Sequence, residues 1–151
     1  MRLYRICRAA YRALDGEGAR LYGGRWNTAG RPVIYTSSSL ALAALEYLVH
    51  VDPADAPDDL VAVTIEIPDH VNVATADVSA LPAGWERVPD HPGCKSVGDA
   101  WLRAGRALAL IVPAAPVPEE MNVLLDPRHP DARQMRVTAE RAFAFDPRLM
   151  E

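Results

Sequence analysis

Residues 40–50 constrain the fold of this chain more than any other segment. Their sequence, LALAALEYLVH, is apolar on nearly every side, and Glu46 is the only carboxylate among them. A helix with apolar residues all around its surface is buried on most sides, and Ser37, Ser38 and Ser39 before it offer N-cap oxygens. The sequence therefore predicts a largely buried helix that carries one carboxylate in surroundings where a charge is costly.

Three explanations for Glu46 are open from this segment alone. The carboxylate can lie on a narrow exposed stripe together with His50, which follows four residues later. It can form a structural ion pair with one of the arginines. It can instead line an active site. We favour this explanation because a carboxylate in apolar surroundings is tolerated where it faces a cleft, and such carboxylates are common in active sites.

The remaining pattern predicts short strands and one further main helix. The helix runs from Lys95 or Ser96 to about Arg106, and residues 16–32 are predicted to be a glycine-rich loop. The predicted strands are 2–7, 33–36, 60–67, 107–112 and 137–145, with shorter extended segments at 71–74 and 121–125. Mixed short strands and two main helices indicate an α+β fold in a single domain, residues 1–151.

Composition excludes several function classes. The formal net charge is −4, and the arginines are dispersed among 20 acidic residues, so direct nucleic-acid binding is not expected. The four histidines lack the spacing of a metal site, and Cys7 and Cys94 form no CxxC pattern. No stretch approaches the roughly 20 apolar residues of a membrane helix. We expect a cytoplasmic protein without a metal.

A second candidate for chemistry is the sequence Gly23-Gly24-Arg25-Trp26-Asn27. Two glycines allow close approach of a ligand or of backbone, and Arg25 carries a planar fork suited to phosphate or carboxylate. Tyr35 follows ten residues later, near the end of a strand just before the helix that carries Glu46. Strand ends and helix starts meet at clefts, so Arg25, Tyr35 and Glu46 could share one site. A structural arginine and a half-buried strand tyrosine are the alternatives.

These segments together resemble the RES domain, a family named for recurring Arg, Glu and Ser residues. The matching stretches span essentially the whole chain and are Leu3-Tyr4-Arg5-Ile6, Gly24-Arg25-Trp26-Asn27, Tyr35-Thr36, Ala44-Leu45-Glu46, Val112-Pro113, Val117-Pro118-Glu119, Asn122, Asp126-Pro127-x-His129-Pro130 and Phe145-Asp146-Pro147-Arg148-Leu149.

The resemblance implies a fold similar to ADP-ribosyltransferases and a toxin that attacks NAD⁺, which would be its substrate, with no cofactor. Members degrade NAD⁺, in some cases by phosphorolysis, or transfer ADP-ribose to a protein target. For this chain we expect cleavage of the bond between nicotinamide and ribose by phosphorolysis or hydrolysis, with transfer to a protein as the alternative. The usual partner is an Xre-type helix-turn-helix antitoxin. Arg25, Tyr35 and Glu46 fall on the family's catalytic Arg, Tyr and Glu positions, and we expect Asn27 and Asn122 to contact the substrate.

The chain departs from the family pattern at one position. Ala114 stands where the family usually has Ser after the late Val-Pro, and neither Ala114 nor Ala115 can donate a side-chain hydrogen bond. Either the serine is dispensable, or this member is weakened, or the sequence was altered so that its host tolerates it. A catalytically inactive RES-fold binding module is therefore an alternative to the enzyme.

Overall fold

A seven-stranded mixed sheet organises the chain in the computed structural model, which describes the backbone of residues 1–151 and every side chain except that of Pro53. The strands are β1 (Arg2–Arg8), β2 (Ile34–Ser37), β3 (Leu60–Glu66), β4 (Val73–Thr75), β5 (Ala109–Pro113), β6 (Met121–Leu125) and β7 (Arg136–Ala142). The helices are α1 (Glu17–Tyr22), α2 (Leu40–Leu48) and α3 (Pro92–Ala104). This mixture confirms the predicted α+β class.

The sheet has the strand order β4-β5-β6-β2-β1-β3-β7, and only β4 and β5 pair in parallel. β1 pairs with β3 along its whole length, and β2 pairs with β6 at all four of its residues. Between β1 and β2, however, the described pairing consists of Tyr4 opposite Ser37 alone. The two strands therefore diverge beyond this pair and leave an opening in the middle of the sheet.

Side-chain alternation along the strands places α2 and α3 on the same face of the sheet. Ile6 on β1 packs with Ala43 of α2, whereas Leu124 on β6 packs with Trp101 of α3. The opposite face is covered by a separate apolar cluster that includes Leu3, Ile34, Val63, Ile65 and Leu125. The opening between β1 and β2 thus lies at the base of the space between two helices.

Three details differ from the sequence predictions. A third, short helix, α1, lies in the predicted loop 16–32, where its flanking Gly16 and Gly23 take the positive φ values of 67° and 72° that end it on both sides. Helix α3 begins earlier than predicted, because Pro92 occupies its first turn, where a missing N–H costs nothing. The last strand ends at Ala142, so Phe143 and Phe145 follow it and pack near Tyr47 instead.

The elements that carry the candidate residues are close to those predicted. Ser39 caps α2, with its hydroxyl accepting from the Leu42 N–H at 3.1 Å. Residues 121–125, for which extended and turn-like conformations were both open, form β6, an interior strand between β5 and β2. Among the described residues, no helix combines the length and apolar character needed to cross a membrane.

Candidate active site

A tight turn, Gly24–Asn27, presents Arg25 to one side and Trp26 to the other. The backbone N–H of Gly24 donates to the Asn27 carbonyl at 3.0 Å, and that of Asn27 donates back at 3.3 Å. The ammonium of Lys95 on α3 donates to the Gly24 carbonyl at 2.7 Å and fixes the turn to the helix. Trp26 is buried in the core beneath α3, so Arg25 is directed toward the open space above the sheet.

Gly24 is required because Tyr35 approaches the turn closely. A Cβ atom at Gly24 would lie 2.5 Å from the Tyr35 hydroxyl oxygen, far inside van der Waals contact. That hydroxyl donates to Asn27 Oδ1 at 2.7 Å and accepts from the Trp26 N–H at 3.1 Å. Burial raises the pKa of Tyr35 well above its ordinary value. The phenol therefore stays protonated and anchors the turn, while its ring forms part of the wall of the open space.

Asn27 supports the site from behind. Its side chain is fully buried, and its amide nitrogen donates to the carbonyls of Ala19 at 3.0 Å and Thr28 at 3.1 Å. Its amide oxygen accepts from Tyr35, so the group's hydrogen-bonding capacity is directed into the protein. The structure thus places Asn27 where it positions Tyr35, and it does not line the space in which we expected it to contact a substrate.

Glu46 projects from α2 toward the opening between β1 and β2. It is half-buried, and its Oε1 accepts a hydrogen bond of 2.5 Å from the side-chain amide of Asn122 on β6. No arginine forms an ion pair with it among the described side chains, which removes the structural ion pair as an explanation. His50 is exposed and lies at the same opening.

These groups surround a cleft of about 920 Å³, within the roughly 300–1,000 Å³ typical of ligand sites. Arg25, Tyr35 and Glu46, which the sequence indicated could share one site, all line it, and so does Asn122. Arg5 and Tyr4 line it too, although successive residues of a strand point to opposite faces of the sheet. Residues of both strands line the cleft because β1 and β2 separate beyond the Tyr4–Ser37 pair.

The two arginines of the cleft differ in how many donors remain free. Arg25 donates through Nη1 to the carbonyls of Trp85 and Val88 and through Nη2 to that of Glu86, and it stacks over the Trp85 ring at 5.8 Å. Arg5 has a single described hydrogen bond, from Nη1 to the Ala13 carbonyl at 3.2 Å. From the sequence, Arg5 was named only as part of the Leu3-Tyr4-Arg5-Ile6 motif. A charged residue within a predicted strand was the feature that could have identified it as a site residue.

Ser37 and Lys95 are two further residues of the site that sequence reasoning did not single out for a role in it. Ser37 was interpreted only as a possible helix cap, yet its hydroxyl donates to Asn122 Oδ1 at 2.8 Å. Lys95, the single lysine, holds the Gly24 carbonyl. Ala114 is fully buried at the end of β5, and it is the next residue, Ala115, that lines the cleft. Because residue 114 does not line the cleft, the alanine at this position does not take a hydroxyl away from the cleft wall.

Comparison with known proteins identifies relatives along nearly the whole chain. A "Prs ADP-ribosylating toxin" of Sphingobium sp. is 41% identical over 91% of this chain and 86% of its own length. A "Toxin Res" of Photorhabdus laumondii is 37% identical over 100% and 98%, and one of Pseudomonas putida is 40% identical over 99% of each.

The fold has a counterpart among solved structures. A chain in the crystal structure of the M. tuberculosis MbcT–MbcA toxin–antitoxin complex superimposes with a TM-score of 0.78, covering 99% of this chain and 86% of the other at 24% identity. The RES domain family matches residues 2–146, a span that includes both arginines, the tyrosine and the glutamate of the cleft. With this match along nearly its entire length, the chain belongs to the RES domain family.

Proposed function

We propose that this protein is the toxin of a toxin–antitoxin pair and that it cleaves the bond between nicotinamide and ribose in NAD⁺. The observation that carries the proposal is a carboxylate, Glu46, held at the side of a large cleft that also contains two guanidinium groups. NAD⁺ has a matching pattern, because its pyrophosphate is anionic and its nicotinamide ribose becomes cationic as the glycosidic bond breaks.

Glu46 would stabilise the developing positive charge. Cleavage of an N-glycosidic bond passes through a transition state resembling an oxocarbenium ion, as in glycoside hydrolysis. A carboxylate in a partly desolvated cleft interacts more strongly with that cation than with the ground state, and this difference lowers the barrier. The bond between the ribose C1 and the nicotinamide nitrogen breaks, and its electron pair leaves with neutral nicotinamide.

The other cleft residues would bind and orient the dinucleotide. Arg5, with most of its donors free, is the stronger candidate for the pyrophosphate. Arg25 lines the same cleft, but its bonds to three carbonyls of residues 85–88 give it a second task, holding that segment at the rim. The Tyr35 ring would pack against nicotinamide or ribose, since its hydroxyl is already bonded within the protein.

The oxygen that attacks the ribose defines which reaction takes place. Attack by water gives ADP-ribose and releases a proton. Attack by inorganic phosphate gives ADP-ribose that carries this phosphate on C1. Transfer of ADP-ribose to a protein is the second candidate. It is favoured by the relative named a "Prs ADP-ribosylating toxin", which is 41% identical to this chain. All three reactions use the same Glu46 and differ only in the acceptor.

The partner we propose is an antitoxin of the Xre helix-turn-helix type. The fold neighbour was crystallised as a toxin–antitoxin complex, and two of the relatives described above bear the name "Toxin Res". Exposed apolar side chains at the mouth of the cleft, Tyr22 and Val49, provide a surface that a protein partner could cover.

The test is release of nicotinamide from NAD⁺ with and without inorganic phosphate. Release that requires phosphate supports phosphorolysis, and release without it supports hydrolysis. Label retained on a protein after incubation with adenine-labelled NAD⁺ supports transfer. If none of these occurs while NAD⁺ still binds, the inactive binding module is the better description.

We predict that Glu46→Gln retains NAD⁺ binding but loses at least ~10²-fold in turnover, the scale of one removed electrostatic group. The matched control is Glu119→Gln, which neutralises an exposed carboxylate that does not line the cleft and should leave turnover unchanged. Turnover of Glu46→Gln near that of the parent would remove Glu46 from the mechanism.

A further inference from the structure

Two hydrogen bonds connect Glu46 to a serine that it does not bond directly. Ser37 on β2 donates to Asn122 Oδ1 at 2.8 Å, and Asn122 Nδ2 donates to Glu46 Oε1 at 2.5 Å. Ser37 is only 4% exposed and faces Asn122 directly across the β2–β6 ladder. The relative positions of Ser37 and Asn122 are therefore fixed by the backbone register of the sheet.

The direction of these bonds follows from chemistry alone. An ionised carboxylate can only accept, so the NH₂ end of the Asn122 amide must face Glu46. Its carbonyl end must then face Ser37, and the serine hydroxyl must donate to it. Turning the amide around would oppose two acceptors at Glu46. Glu46 thus sets the orientation of the amide, and Ser37 holds it in that orientation by donating to its carbonyl oxygen.

From this geometry we propose that Asn122 and Ser37 are positioning residues, which act on the reaction by fixing the orientation of the Glu46 carboxylate. The proposal rests on the proposed role of Glu46 in cleaving NAD⁺. It replaces the direct substrate contact expected for Asn122, because both ends of that amide are bonded within the protein. A carboxylate held in one rotamer presents its free oxygen at one place, whereas a freely rotating one does so only part of the time.

Kinetics separate this role from a substrate contact. Ser37→Ala and Asn122→Ala are expected to lower kcat for nicotinamide release by about 10- to 100-fold, the scale of a hydrogen bond to a charged group, with KM for NAD⁺ changed less than about twofold. If Asn122 contacts NAD⁺ directly, Asn122→Ala raises KM instead, and the proposal is overturned for that residue.

The matched control for Ser37 is the preceding residue. Thr36→Val also removes a buried hydroxyl from β2, but that hydroxyl donates to the Val123 carbonyl at 2.6 Å and has no described bond to Asn122 or Glu46. It should lower stability without a comparable fall in kcat. An equal fall in kcat for Thr36→Val and Ser37→Ala would show that β2 is merely sensitive to lost hydroxyls.

A second measurement needs no turnover and so remains informative if the protein does not cleave NAD⁺. Urea unfolding of Ser37→Ala, Glu46→Gln and the double variant should show coupling of at least about threefold in the unfolding equilibrium constant, and the coupling should vanish in an Asn122→Ala background. Additive effects in the Asn122 background and the parent alike would overturn the chain of bonds. Coupling without nicotinamide release would instead contradict the proposed reaction and leave the positioning geometry standing.

Discussion

Tyr35 serves the core and the cleft with different parts of one side chain. Its hydroxyl is shared between the Trp26 N–H and the Asn27 amide, while its ring lies on the wall of the cleft. The close approach of Gly24 exists to accommodate this ring. Arg25 therefore depends on Tyr35 for its position, although the two side chains are not bonded to each other.

The raised pKa of Tyr35 predicts a change in stability at alkaline pH. Because burial favours the neutral phenol, its contribution is present below the ordinary pKa of 10.0 and is lost as the pH rises above it. Near neutral pH, Tyr35→Phe should lower the free energy of unfolding by about 1 kcal/mol through its lost hydrogen bonds. Urea unfolding of both proteins should show this difference shrinking above about pH 10; a difference that widens there would contradict the assignment.

Single side chains also show what the sequence could and could not predict. The residues alone left a shared site for Arg25, Tyr35 and Glu46 as one alternative, and the resemblance to the RES domain assigned the three together; the structure places all of them at one cleft. The roles of Asn27 and Asn122 could not be predicted. An amide donates and accepts equally well toward a ligand or toward the protein, and only its neighbours in space decide which it does.

Helix α3 is positioned against the Gly24–Asn27 turn by a glycine in its middle. A Cβ atom at Gly98 would lie 1.7 Å from the carbonyl oxygen of Trp26, so helix and turn are in direct backbone contact. Lys95 and Asp99 of the same helix bond to the turn and to Thr28 just after it. This helix is a support for Arg25 as well as a part of the core.

Gly98→Ala should destabilise the protein by about 1–3 kcal/mol, the usual cost of an overfilled contact, even though alanine favours helix by about 1 kcal/mol. The matched control is Gly18→Ala in α1, where an added Cβ meets nothing within 4 Å. That variant should be neutral or more stable by roughly 0.5–1 kcal/mol. Thermal unfolding checks both, and a stable Gly98→Ala protein would contradict the close contact.

At the scale of elements, the apolar run after the capping serines predicted α2, and the β-branched residues of 60–67 predicted β3. Helix α2 is less buried than predicted, because only Leu42 and Ala43 of its nine residues are buried. The prediction also failed where glycine and proline were taken only as breakers. Gly16 and Gly23 flank the short helix α1, and Pro92 begins α3 with His91 as its N-cap. Glycine and proline occur at helix ends because of the same backbone properties that disfavour them in helix interiors.

The whole sheet is divided by the cleft into two hydrogen-bonded parts, β3 and β7 beside β1, and β4, β5 and β6 beside β2. Arg5 reaches the opening although its neighbours Tyr4 and Ile6 point to the other face of the sheet. No local sequence pattern predicts this opening in the sheet, because the opening depends on where two neighbouring strands stop pairing. The strands themselves were predictable, but their order and this opening were not.

If Arg5 binds the pyrophosphate through the opening, Arg5→Ala should raise the Kd for NAD⁺ by about 10- to 100-fold, with a smaller effect on kcat. The matched control is Arg2→Ala on the same strand, where the guanidinium pairs with Glu66 on the exposed surface. Thermal stabilisation by NAD⁺ measures both affinities. Equal loss of affinity in the two variants would indicate a general effect of charge.

The single Tyr4–Ser37 pair gives the fold a freedom that a fully paired sheet lacks. Widening a gap between fully paired strands breaks backbone hydrogen bonds, whereas the width of the opening between β1 and β2 depends on the side chains of these two strands. Substitutions of those side chains can therefore change which molecules fit into the cleft, while the pairing of β1 with β3 and of β2 with β6 is retained.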